Sequence, residues 1–134
     1  MTIQYSPAVN NARLDAIETA IGTAPLLRFY SGSQPASCAT AASGTLLSSQ
    51  ALPSDWLAAA SNPSKAKAGT WAGTFSTAGT AGYYRIYDST GTTCHLQGSV
   101  TITGSGGDLQ MDNPAGQVGQ AWTVTSYQIN TGNQ

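Results

Sequence analysis

The residue types in this chain that could do chemistry are few and poorly grouped. Its single histidine, His95, adjoins Cys94, one of only two cysteines; the other is Cys38. Adjacent residues on a strand point to opposite faces, so Cys94 and His95 do not converge on one metal ion, and the cysteine spacing matches no zinc pattern. Two cysteines permit one disulfide. The opening MTIQYSPAVNNARLD has neither a basic start nor an apolar stretch. It reads as no signal peptide, which places folding in a cytosol where thiols stay reduced. The expectation is two buried free thiols, no metal and no cofactor. Asp108 and Asp112 share a strand face at i, i+4, a separation of about 13 Å, too wide for a retaining carboxylate pair. They read as solvated turn residues. The segment GSGGD at 104–108 lacks the Lys and Ser or Thr of a phosphate loop. Serines abound, but His95 has no evident carboxylate to orient it. No catalytic residue is named, and the expectation is that the chain is not an enzyme.

Binding chemistry is better represented. Residues 83–88 and 92–103, joined by Ser89, Thr90 and Gly91, read as a hairpin with Gly91 in the left-handed position. Setting Asp88 opposite Thr92 places Ile86 opposite Cys94 and Tyr84 opposite Leu96. Cys94, Leu96, Gly98, Val100 and Ile102 then form the core face by strict alternation. Tyr83, Arg85, Tyr87, His95 and Gln97 collect on the other face. Tyr and Arg bring amphipathic area and hydrogen bonding together, which suits a subunit interface. The same mixture suits stacking on a sugar, and Tyr is also an ordinary strand former.

The elements that must position these residues are one helix and about seven strands. Residues 6–22 carry a Ser6 cap, Pro7 at the first helical position and a Gly22 stop. Leu14, Ile17 and Ile21 make a narrow apolar stripe, read as a docking face. The arm at residues 1–5 reads as flexible. Strands are expected at 26–31, 45–52, 67–75, 83–88, 92–103, 109–112 and 121–130, with a helical turn at 53–61 that points Trp56 and Leu57 inward and a turn at 61–65. Trp122 and Val124 take one face of the last strand and Tyr127 and Ile129 the other, so a bulge is expected near Thr125. Turns every ten or so residues predict a mainly β fold, an antiparallel sandwich of jelly-roll or Ig-like type. The division is an arm and helix at 1–22 and a β-domain at 23–134.

Composition supplies the remaining constraint. Charged residues are 8% of the chain and the net charge is −1, whereas soluble domains carry roughly a quarter charged. Weak net charge favours association, so the surface suits a protein covered by its neighbours. The five scattered cations do not form a phosphate-binding surface. No apolar run is long enough to cross a membrane.

Three stretches, NARLDAIETAIG, LPSDWLAAAS and GTAGYYRIYDSTGTTCHLQGSV, resemble small virion proteins encoded among tailed-phage structural genes. The likeness runs from about Asn11 to Ile129. It implies a β-rich structural protein without enzymatic activity, located in the virion after synthesis in the host cytoplasm. Proteins of this kind decorate or cement a capsid, or sit at the tail. The expected function is a capsid-decorating or minor capsid protein that binds itself and the major capsid protein. A tail or fibre component with a carbohydrate- or receptor-binding face is the alternative.

Overall fold

The computed structural model describes residues 3–61 and 64–130. Parts of the expected arm (residues 1 and 2) and of the expected turn at 61–65 (residues 62 and 63) lie outside the described residues. Helix α1, Pro7–Ile21, starts where the Ser6 hydroxyl accepts the Val9 N–H at 3.3 Å and stops at Gly22, φ 91°, whose N–H donates to the Glu18 carbonyl. Among the described residues nine strands follow: β1 Leu26–Ser31, β2 Leu46–Ala51, β3 Ser64–Ala66, β4 Ala72–Thr74, β5 Gly79–Tyr87, β6 Cys94–Ile102, β7 Leu109–Met111, β8 Ala115–Gly116 and β9 Ala121–Asn130. The molecule is therefore mainly β with one helix. Strands β3 and β8, three and two residues long, are too short to leave a period in the sequence. The expected strand at 67–75 contracts to β4, and the expected helical turn at 53–61 is irregular, with an isolated bridge between Leu57 and Lys67. Trp56 and Leu57 are nonetheless buried, as their placement required.

The strands form one sheet in the order β2-β1-β5-β6-β7-β9-β3, with β4 also on β9 and β8 on β5. Strands β6 and β7 run parallel, Val100 beside Leu109 and Ile102 beside Met111. This corrects the all-antiparallel expectation. Only residues 103–108 join the two, where parallel neighbours ordinarily need a longer crossover. Gly104 and Gly106 at positive φ allow the double reversal. Between Gln110 and Met111 the register against β9 slips so that Thr125 is left over, the bulge that the change of parity required.

The sheet curls until its margins approach. Ser48 of β2 donates to the Thr74 carbonyl of β4 at 2.7 Å, and the Ser76 N–H donates to the Leu47 carbonyl at 2.8 Å. The enclosed core holds Leu27, Phe29, Leu47, Ile86, Leu109, Met111 and all three tryptophans. Phe29 meets Trp122 edge to face across it, with centroids 4.8 Å apart. Each indole N–H has an acceptor: Trp122 to Ser48 Oγ, Trp56 to the Gly22 carbonyl and Trp71 to the Ala68 carbonyl. Buried donors need such partners.

Helix α1 belongs to this core. Leu14 and Ile21 are buried and Ile17 packs against the same cluster. The stripe read as a docking face is used up inside the fold, which corrects that expectation. A charge clamp adds to it. The Lys65 ammonium on β3, 2% exposed, lies 2.7 Å from Asp15 Oδ1 and 2.8 Å from Glu18 Oε2, and donates to the Ala58 carbonyl at 2.8 Å. Deleting residues 1–22 removes Ile21, both carboxylates and the acceptor of Trp56. The truncated chain is expected to lose its cooperative thermal transition, because the core surface covered by Ile17 and Ile21 is opened to water and the buried Trp56 indole loses its acceptor. A sharp melt in the truncated protein would show that the helix is dispensable.

The clamp also sets a pH window. The hydrogen bond from Lys65 holds the Asp15 carboxyl below its usual value of 3.8. Burial alone would lower the Lys65 pKa, but the bonds to Asp15 and Glu18 outweigh it and hold it above 10.5. A depressed carboxylate stabilises above its unfolded pKa and ceases to as pH falls through the folded one. A raised lysine stabilises below its unfolded pKa and ceases to as pH rises through the folded one. Urea midpoints measured against pH should fall below about pH 4 and above about pH 10.5, and Lys65→Met should flatten both limbs. Superimposable profiles for the two proteins would rule the clamp out.

Candidate functional site

The face predicted to bind a partner is on the hairpin of β5 and β6. Its turn is ordered by Asp88, whose Oδ1 accepts the Thr92 N–H at 2.9 Å, while Gly91 takes φ 75°. The Asp88 N–H pairs with the Thr93 carbonyl, not Thr92, so the loop is one residue longer than expected. The register follows: Tyr84 opposite Gly98, Arg85 opposite Gln97 and Ile86 opposite Leu96. A shift between Ile86 and Tyr87 then skips His95 and sets Cys94 opposite Tyr87. Gly98, Val100 and Leu96 keep the core parity expected of them. Cys94 does not; the bulge moves it to the face of Tyr83, Arg85 and Tyr87. Ile102, at the strand end, is also out of the core, 51% exposed.

That second face is covered by the chain's own residues 32–44. Tyr83, Arg85 and Tyr87 are all buried. Arg85 Nη2 donates to the Thr40 carbonyl at 2.7 Å and to the Ser37 carbonyl at 3.2 Å, and its Nε to Gln97 Oε1 at 3.2 Å. Gln97, half-buried, donates to the Pro35 carbonyl at 2.7 Å. The Tyr83 hydroxyl donates to the Ser43 carbonyl and accepts the Ser43 N–H. Beneath this strap Tyr30 stacks on Tyr83 with centroids 5.2 Å apart, and Arg28 lies 4.5 Å over the Tyr87 ring. Burial and the neighbouring Tyr87 hydroxyl push the Tyr30 phenol up to about 12. The strap passes so close that a Cβ on Gly82 would lie 2.0 Å from the Gly32 carbonyl oxygen. Of the five predicted interface residues only His95 is exposed. The correction is physical: a guanidinium cannot be half-buried without acceptors, and here the strap's carbonyls supply them.

Other candidates divide between structural use and open surface. Asp108 accepts the Ser99 N–H and hydroxyl, and Asp112 the Thr123 N–H, so both exposed carboxylates pin backbone. Among the described residues no group of three His, Cys, Asp or Glu is placed to hold a metal. An open cleft of about 520 Å³ is lined by Asp15, Glu18, Asp55 and Lys65, but its ammonium is already taken by the two carboxylates. Among the exposed apolar side chains, Ile3, Tyr5 and Val9 lie at the start of the described chain, with Arg13 4.6 Å over the Tyr5 ring, while Leu46, Ile102 and Val118 are scattered along the rest. Sequence reading passed over the first three because they precede or interrupt the helical stripe. It also passed over Lys65 and Ser48, both buried, since nothing in the sequence marks a polar residue as interior.

Replacing Arg85 with Met should leave the Ser37 and Thr40 carbonyls without their donor. The expected result is a loss of about 1–3 kcal/mol together with faster amide exchange confined to residues 32–44. Uniformly faster exchange across the sheet would mean that Arg85 holds the core and not the strap.

No protein-family model matches this chain, and no curated protein or solved structure matches it at a meaningful level of similarity.

Proposed function

We propose that the chain is a structural protein of a tailed-phage virion, a capsid-decorating or minor capsid protein that binds the assembled shell as a homo-oligomer. The observation that carries this reading is where the few charges go. Lys65 and Arg85 are buried, Asp15 and Glu18 are paired with Lys65, and Arg28 lies on a ring. Asp88, Asp108 and Asp112 hold backbone N–H groups. The outer surface is mostly hydroxyl, amide and glycine groups, and the charges that remain on it are few and largely tied to neighbouring groups, so little repulsion keeps copies apart. With two of the five cations inside, phosphate binding has still less to draw on.

The exposed Ile3, Tyr5 and Val9 supply the apolar anchor that the buried helix stripe cannot. Within this reading the curled sheet is a variant of the two-layer sandwich, jelly-roll or Ig-like, with Phe29 and Trp122 in contact between layers. The tail or fibre alternative rested on rings for stacking a sugar, and Tyr83 and Tyr87 lie beneath the strap, so no observation favours it.

Two measurements test the proposal. In density-gradient fractions of phage from an expressing host, the protein should band with DNA-filled particles; recovery only as free protein would overturn the virion reading. In solution the protein should sediment as a homo-oligomer. The triple change Ile3→Ser, Tyr5→Ser, Val9→Ser should release monomers whose melting temperature stays within about 2 °C, as expected for surface positions. An unchanged oligomer would show that the contact lies elsewhere.

A further inference from the structure

Both cysteines, half-buried and free, end up on the same side of the sheet. Cys94 is there because of the bulge at His95, which sets it opposite Tyr87 and turns it out of the core. Cys38 is there because the strap is tied down on either side of it: the Ser37 and Thr40 carbonyls are bound by Arg85, and the Pro35 carbonyl by Gln97. Arg85 and Gln97 are cross-strand partners on the strands that also carry Tyr87 and Cys94. The Cys94 thiol donates to the Leu96 carbonyl at 3.5 Å, and Cys38 lies near enough to bear on its ionisation. In a chain with two cysteines, 56 positions apart in sequence, this juxtaposition is not produced by local structure.

We propose that Cys38 and Cys94 form an intramolecular disulfide, clamping the 32–44 strap onto β6, when the protein meets a low-molecular-weight disulfide oxidant. The proposal is independent of the virion reading.

The chemistry is thiol–disulfide exchange. Cys38 lies in a strap whose adjacent residues, Ser37 and Ala39, are exposed, so it meets the oxidant first. Its thiolate attacks one sulfur of the small disulfide; that S–S bond breaks, a mixed disulfide forms and one small thiolate leaves. Cys94 then attacks the Cys38 sulfur, the protein disulfide forms and the second small thiolate leaves. The two protons from the protein thiols pass to the departing thiolates, and the two electrons end on the two reduced small thiols. Burial, reinforced by the neighbouring Cys38 thiol, pushes the Cys94 thiol up to about 12. That fits the second role, where proximity to the mixed disulfide makes up for a small thiolate fraction.

The test uses the full chain and oxidised glutathione at millimolar concentration. After treatment the intact mass should fall by two hydrogens, alkylation without reductant should leave both cysteines unmodified, and a non-reduced peptide map should join Cys38 to Cys94. The melting temperature should rise by roughly 10 °C and return on adding dithiothreitol. Cys94→Ser should instead retain glutathione on Cys38. Two alkylated cysteines, stable glutathione adducts on both in the unaltered protein, or covalent dimers as the main product would each overturn the proposal. The measurements on the unaltered chain decide it even if the serine variant fails to fold.

Discussion

A buried ammonium sets the terms for much of this molecule. The Lys65 side chain cannot stay charged at 2% exposure without acceptors on several sides. The chain meets that demand with Asp15 and Glu18 from one turn of α1 and with the Ala58 carbonyl. Meeting it fixes the helix against β3, and the position of the helix fixes Gly22, whose carbonyl accepts the Trp56 indole. From Trp56 a line of rings continues inward: Trp71 at 6.0 Å, Tyr127 at 5.1 Å beyond it and Tyr84 at 5.5 Å beyond that. The line ends at a hydrogen bond between the Tyr84 and Tyr127 hydroxyls, 2.8 Å long. Burial drives the Tyr84 phenol far above its ordinary range, so the pair remains neutral. One electrostatic requirement at the margin thus reaches the hairpin through contiguous packing.

The same logic recurs on the opposite side of the sheet with Arg85. There the acceptors come from a loop, and the loop is held down as a consequence. A chain with so few charges places two of its five cations as internal staples, one for the helix and one for the strap. Each brings an otherwise weakly attached segment into the fold through several directional bonds, at the expense of desolvating a charge. The surface is poor in cations partly because two of the five have structural duties inside.

Local chemistry was the part that could be read from sequence. The helix limits follow from Ser6, Pro7 and Gly22, whose capping is complete within a few residues of each. Strand β1 and the bulge at Thr125 follow from alternation and its failure. What escaped reading is what depends on distant partners. A lysine destined for burial at position 65 has the same local context as a solvated one. The bulge at His95 leaves no mark, because Cys94 fits the alternation of a core face as well as the structure's outer face. Tyr83, Arg85 and Tyr87 were correctly grouped on one face, but nothing in their spacing says that residues 32–44 return to cover them. The sheet order, with β7 inserted beside β6 in parallel, also lay beyond reach, since it turns on a glycine-rich double reversal and not on any strand's own pattern.

The placement of β9 has a consequence for how the protein comes into being. This strand pairs with β7, β3 and β4 and brings Trp122, Val124 and Tyr127 to the core. Its partners precede it by roughly fifty residues in the case of β4 and more for β3. During synthesis the segments from β1 to β7 therefore emerge with their apolar faces uncovered and stay so until β9 leaves the ribosome. Non-local strand pairing of this kind is slow, and the waiting chain is open to wrong partners. A surface so poor in repulsive charge makes that interval hazardous in proportion to concentration. The nascent chain is then the state in which a chaperone has most to shield, and slow docking of β9 lengthens that exposure.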